Sequence, residues 1–252
     1  MLDHLRARIR QGTPTARVGD TEIEFPERFR GRPVLDAARC AGDDGACFAQ
    51  VPSAAIRRSR EGLPVIDAGA CLFSPDEAAA CPHGALAFSH DHRLASRTRD
   101  GLVSPTGAVE LATVLEERAR SLFGRSLRLR SVVAGSCNGC EGELVALGNV
   151  VFDLARFGVQ FVASPRHADG IVITGAVNRN MREALATTYA AVPPPRLVIA
   201  VGACALSGGP FRGSPEVADG VPSDVPVDLW IPGCPPHPLT IIDGLLRLLG
   251  RL

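Results

Sequence analysis

Eight cysteines are the side chains of this 252-residue chain best suited to chemistry. They form two sets of four: Cys40, Cys47, Cys71 and Cys81, then Cys137, Cys140, Cys204 and Cys234. A thiol can ligate a metal, attack an electrophile or pair in a disulfide, and the compartment decides which. The N-terminal stretch carries arginines but no apolar segment of the secretory kind, which predicts a reducing, cytoplasmic setting. No run approaches the roughly 18 apolar residues that span a bilayer, so no direct membrane crossing is expected. Grouped cysteines then read as ligands of a metal ion or an iron–sulfur cluster, against the plainer alternative of small buried hydrophobes. The rest of the composition is that of a globular protein, 46% hydrophobic and 21% charged. Its 27 basic residues, all arginine, balance 27 acidic ones. With no net charge and no basic stripe, nucleic acid is not an expected partner.

The elements that must position these thiols differ on the two sides of residue 103. After it, apolar runs alternate with helical patterns. Strands are predicted at Leu127–Ala134, Val159–Ala163, Gly170–Thr174, Leu197–Val201 and Val227–Ile231, with helices at Glu141–Phe157, Asn178–Val192 and Pro238–Leu249. Strands rich in Val and Ile on both faces, alternating with helices, imply a parallel sheet covered on two sides. Cys137 and Cys140 follow the first strand, Cys204 the fourth and Cys234 the fifth. All four therefore lie past carboxyl ends of parallel strands, along the edge where open α/β sheets hold ligands. Gly135, Gly139, Gly202 and Gly233 flank them. Bare backbone beside every ligand allows close approach and N–H donation to a bulky cluster. Zinc needs less room and usually takes two Cys-x-x-Cys pairs, of which one is present. The spacing therefore favours a cluster and leaves zinc as the alternative.

The runs Gly135-Ser-Cys-Asn-Gly-Cys-Glu-Gly-Glu143, Ser164-Pro-Arg-His-Ala-Asp169, Val201-Gly-Ala-Cys-Ala-Leu-Ser-Gly-Gly-Pro-Phe211 and Val225-Pro-Val-Asp-Leu-Trp-Ile-Pro-Gly-Cys-Pro-Pro236 carry a resemblance. In that order they resemble the small, electron-transfer subunits of formate-hydrogenlyase-type, energy-converting nickel–iron hydrogenases. These are related to the 20 kDa subunit of complex I, the NADH-quinone oxidoreductase. The complex I branch characteristically has adjacent cysteines at the first ligand position, so Cys137-x-x-Cys140 looks closer to the hydrogenase branch. The resemblance implies a flavodoxin-like domain over 127–252 and one 4Fe–4S cluster on Cys137, Cys140, Cys204 and Cys234. It also implies three partners: a hydrogenase-type large subunit, another iron–sulfur subunit and integral membrane subunits. The chain would then sit peripherally on the cytoplasmic face of the inner membrane through those partners. Two rival readings stand beside it: a related complex without nickel chemistry, coupled to quinone or ion transport, and a zinc-binding scaffold. Glu143 reads as a proton relay or as an acid favourably placed at a helix N-terminus. Arg166 and His167 read as cations near the cluster or as an ordinary loop pair.

The first half carries a short internal repeat. Val51-Pro-Ser-Ala-Ala-Ile56 matches Cys81-Pro-His-Gly-Ala-Leu86. The repeat resembles a bacterial two-cluster ferredoxin, which implies a small α+β, ferredoxin-like domain at 33–102, after an extension at 1–32 and before a connecting helix at 103–126. Aligned on that template, one cluster would draw on Cys71, Ser74, Glu77 and Val51, a single thiolate, and is read as lost. The other would draw on Cys40, Asp43 or Asp44, Cys47 and Cys81, with Cys71 as a substitute, and leaves a second 4Fe–4S cluster open. The connecting helix is expected over 106–124, with Val109, Ala112, Val114 and Leu115 inward and Gly124 ending it.

Overall fold

The protein is seen in a computed structural model that describes residues 2–19, 23–40, 51, 53–81, 83–123 and 126–252. Five short strands serve its first half: β1 (Pro33–Leu35), β2 (Ile56–Arg58), β3 (Pro64–Asp67), β4 (Leu86–Phe88) and β5 (Val103–Ser104). The internal repeat is geometric as well as textual. The Ala54 N–H donates to the Val51 carbonyl at 3.1 Å, and the Gly84 N–H to the Cys81 carbonyl at 3.0 Å. Both turn residues are left-handed, with φ of 53° at Ala54 and 58° at Gly84. Glycine adopts that conformation freely, whereas alanine gives up about 1 kcal/mol. Burial of the next two residues offsets the cost, because Ala55 and Ile56, like Ala85 and Leu86, are core. Each turn then feeds a strand. β2 pairs antiparallel with β3, and β3 with β5, while β4 pairs with β1. Leu35, Val51, Ile56, Ile66, Phe73, Leu86 and Leu94 pack between them. Among the described residues, three helices belong to this half, α1 (Leu2–Gln11), α2 (Ala37–Cys40) and α3 (Pro75–Ala79), and α1 buries none of its residues.

The helix expected over 106–124 is much shorter. α4 spans Glu117–Phe123, and the ten residues before it carry no regular secondary structure. Their backbone bonds are non-local: Glu110 N–H to Gly101, Ala112 N–H to Ala95 and Leu115 N–H to Leu248. Ala112 and Leu115 are buried as expected, but by a chain that threads between both halves, with Val114 exposed. Gly124 lies outside the described residues.

The second half is a five-stranded sheet, all parallel: β6 (Leu127–Val133), β7 (Val159–Phe161), β8 (Gly170–Thr174), β9 (Leu197–Val201) and β10 (Leu229–Ile231). Its order is β7-β6-β8-β9-β10, or 2-1-3-4-5 counted within the sheet. Every residue of β8 and β9 is buried, as central strands covered on both faces require. The helices are α5 (Gly139–Ala146), α6 (Arg179–Ala191), α7 (Ala203–Ser207) and α8 (Pro238–Leu248). α5 stops well before Phe157. After it the Asn149 carboxamide accepts the N–H groups of Val151 and Phe152 at 2.8 and 3.0 Å and turns the chain. A backbone exchange between Ser96 and Trp230 adds first-half chain to the β10 edge, so that edge is paired rather than open. Among the described residues, no helix is long and apolar enough to cross a membrane.

Candidate metal centre

Because the five strands are parallel, their carboxyl ends share one edge of the sheet. The loops there carry Cys137, Cys140, Cys204 and Cys234. After β6, Gly135 turns with φ 93° and Asn138 is left-handed at φ 70°, which places Cys140 in the first turn of α5. After β9, Gly202 at φ 89° caps α7, and Cys204 is its second residue. After β10, Gly233 precedes Cys234. Two backbone bonds stitch the last two loops together: Gly202 N–H to the Ile231 carbonyl at 2.9 Å and Ala203 N–H to that of Gly233 at 2.8 Å. Cys140 and Cys204 are buried, Cys234 is half-buried and Cys137 is exposed.

The four thiols act on one another electrostatically. Burial, then Glu141 and the other three cysteines, push the Cys140 thiol well up. Burial, then Cys234, Cys137 and Glu141, push Cys204 up to about 11. Burial, Cys137 and Glu77 raise Cys234. Thiols raised like Cys140 and Cys204 give up their protons readily only to a cationic centre, which is the chemistry of a metal donor set. The backbone leaves space for such a group. A Cβ on Gly209 would stand 2.8 Å from the Cys204 sulfur, and one on Gly202 would lie against that of Cys140. Among the described residues, no three or more His, Cys, Asp or Glu side chains converge to hold a single metal ion.

Around the thiols, the structure sorts the remaining candidates. Ser136 and Thr174 both donate hydroxyl bonds to the Glu141 carboxylate, the former at 2.7 Å, tying the Cys137 loop to the end of β8. Glu143 is raised by burial and lines a cavity of about 250 Å³ together with Phe29, Phe73, Cys234 and His237. Arg166 and His167 are exposed in the 3₁₀ turn Pro165–His167. Trp230 is partly buried in β10 and packs between the two halves. His237 caps α8, its Nδ1 accepting the Leu239 N–H at 3.2 Å, amid the rings of Phe25, Phe29 and Phe152. The Phe25–Phe29 contribution has no signal in spacing, because it comes from an extension with no periodic pattern.

Burial, reinforced by His92, pushes His237 down from 6.5 to about 4. An unfolded chain takes up that proton near its ordinary value and the folded one only near 4, so unfolding binds protons in between. The contribution to stability is fully present above pH 6.5 and is lost as pH falls toward 4. His237→Asn keeps an acceptor for Leu239 and removes the titration. Its urea midpoint should vary less between pH 7 and pH 4 than the wild-type midpoint, and parallel profiles would refute the assignment.

In the first set, Cys71 is buried and donates its thiol hydrogen bond to Glu77 at 3.2 Å. Cys81 is buried and its sulfur accepts the Ala85 N–H at 3.3 Å. Asp43, Asp44 and Cys47, with the side chain of Cys40, lie outside the described residues.

Comparison with known proteins bears on the half that carries the thiol edge. Residues 137–248 match the family described as NADH ubiquinone oxidoreductase, 20 Kd subunit. A probable membrane-bound hydrogenase subunit, mbhJ of Pyrococcus furiosus, is 41% identical over 141 residues, which is 55% of this chain and 84% of that protein. This chain belongs to the 20 kDa subunit family. Formate hydrogenlyase subunit 7 of Escherichia coli is 39% identical, over 63% of this chain and 62% of its own. An NADH-quinone oxidoreductase subunit of Heliobacterium modesticaldum is 44% identical, over 45% and 65%. The expected kinship with both hydrogenase and complex I subunits therefore holds for this 20 kDa family member.

Proposed function

We propose that the chain is the iron–sulfur electron-transfer subunit of a multi-subunit oxidoreductase, with one 4Fe–4S cluster on Cys137, Cys140, Cys204 and Cys234. The observation that carries this reading is the placement of four cysteines on glycine-bared loops along one sheet edge, with the buried Cys140 and Cys204 thiols both raised in part by their neighbours. When bound, the cluster supplies a one-electron store. The chain's part is to fix its surroundings. Gly202 and Gly209 leave room beside the buried sulfurs. Glu141, clamped by Ser136 and Thr174, holds the first ligand loop to the sheet. Glu143, its carboxyl raised by burial, stands beside the Cys234 cavity as the candidate proton relay.

In this reading, residues 127–252 form a flavodoxin-like domain. Residues 33–102 are a ferredoxin-like module, between the extension at 1–32 and the linking segment at 103–126. The exposed Cys137 edge faces a hydrogenase-type large subunit. Another iron–sulfur subunit and integral membrane subunits complete the assembly and hold the chain at the cytoplasmic membrane face. The test is metal analysis with electron paramagnetic resonance on reduced, anaerobically purified protein. About four irons per chain and a 4Fe–4S signal are expected. About eight irons would load the first-half module as well, and zinc without iron would overturn the reading.

A further inference from the structure

The loop from Cys71 to Glu77 ends in an acid turned inward. Glu77 is 1% exposed, and its carboxylate collects the Leu72 and Ser74 N–H groups at 3.0–3.2 Å, the Cys71 thiol at 3.2 Å and the Ser53 hydroxyl. A capping box on α3 accounts for the Ser74 bond alone. The others surround the carboxylate with neutral dipoles drawn from the first repeat passage and from the Cys71 loop. Among the described residues no arginine pairs with it. Dipoles stabilise a buried charge where it sits but do not cancel its field at a distance. The field has an object close by. Phe73, four residues before Glu77 in this loop, and Cys234 line the same cavity.

We propose that Glu77 is a positioning residue of the redox site, a fixed negative charge in the first-half module that holds the reduction potential of the centre on Cys137, Cys140, Cys204 and Cys234 low. The carboxylate stands at one of the positions the ferredoxin template assigns to the lost cluster. Its place has been taken over by a charge serving the surviving centre. Adding an electron makes that centre more negative, so a nearby anion disfavours reduction. The inference rests on the cluster reading above.

The test is a potentiometric titration of the reduced-cluster signal in the full chain, purified anaerobically with its partners. Poised at the wild-type midpoint, Glu77→Gln should show a reduced-to-oxidised ratio about tenfold higher, which for one electron is 59 mV. Glu77→Asp keeps the charge and should stay near wild type. Cys71→Ser keeps a donor to Glu77 and should retain both iron and potential. Should Glu77→Gln not fold, Glu77→Met removes the same charge with a side chain of similar size, and its ratio should rise likewise. Wild-type protein without a cluster overturns the parent reading. A cluster whose potential is unmoved in Glu77→Gln, or in Glu77→Met as the substitute, overturns this inference alone, and loss of iron in Cys71→Ser overturns it by making Cys71 a ligand.

Discussion

Cys204→Ser is expected to abolish the paramagnetic signal of the reduced protein and to lower iron from about four per chain to well under one. Serine keeps the size and position of the thiol but offers a harder, more basic oxygen that a soft iron–sulfur centre holds weakly. Among the described residues, no spare ligand stands ready to replace it: Cys71, the first-half thiol on which Cys234 acts electrostatically, is engaged with Glu77. Fold should survive the substitution, since the five-residue helix that carries Cys204 is also held by backbone bonds to β10 and its loop and by the packing of Ala205 and Leu206. The discriminating measurement pairs iron and sulfide content with circular dichroism. Retained iron with an unchanged signal would remove Cys204 from the ligand set, whereas lost iron with native ellipticity is the predicted outcome.

That site was legible in the sequence because parallel topology does the geometric work. Once Leu127, Gly170, Leu197 and Leu229 begin parallel strands, the chain direction alone sends Cys137, Cys204 and Cys234 to one edge. The helix after Cys140 was legible in position but not in length. Gly148 and Asn149 carry the stop, and only the Asn149 bonds to Val151 and Phe152 make it a turn. The segment at 106–116 misled for a different reason. Ala112 and Leu115 are spaced like one face of a helix, and both are buried, but long-range bonds to Ala95 and Leu248 supply the backbone partners. Periodicity reports which residues are covered and cannot report what covers them. Glu77 shows the same limit at a single residue. Its place in the ferredoxin template and the Ser74-x-x-Glu77 capping signature are both visible in the sequence, yet the inward turn depends on Ser53, distant in the chain.

The other large effect is expected at the seam between the halves. Asp67 ends β3 with its side chain 8% exposed, and Arg99 grips it through two bonds of 2.7 Å. The same carboxylate accepts the Gly69 and Ala70 N–H groups at 2.9 and 3.2 Å. Gly69 is needed there, because a Cβ would stand 2.8 Å from the guanidinium. The remaining Arg99 donor, Nε, reaches the Leu206 carbonyl at 3.1 Å on the helix that carries Cys204. One arginine thus joins a buried first-half carboxylate to a ligand helix of the second. Arg99→Met strands that carboxylate without its cation and should lower stability by about 3 kcal/mol, at the lower end for a buried pair because Arg99 is partly exposed. Asp67→Asn in the same background removes the stranded charge and should recover part of the loss, giving a positive coupling in a double-mutant cycle. Urea unfolding of the four proteins measures it. Additive effects below about 1 kcal/mol would mean that the pair contributes no more than an exposed ion pair, and that the hydrophobic contact of Ala68 and Leu102 with Ala205 and Leu206 holds the halves together instead.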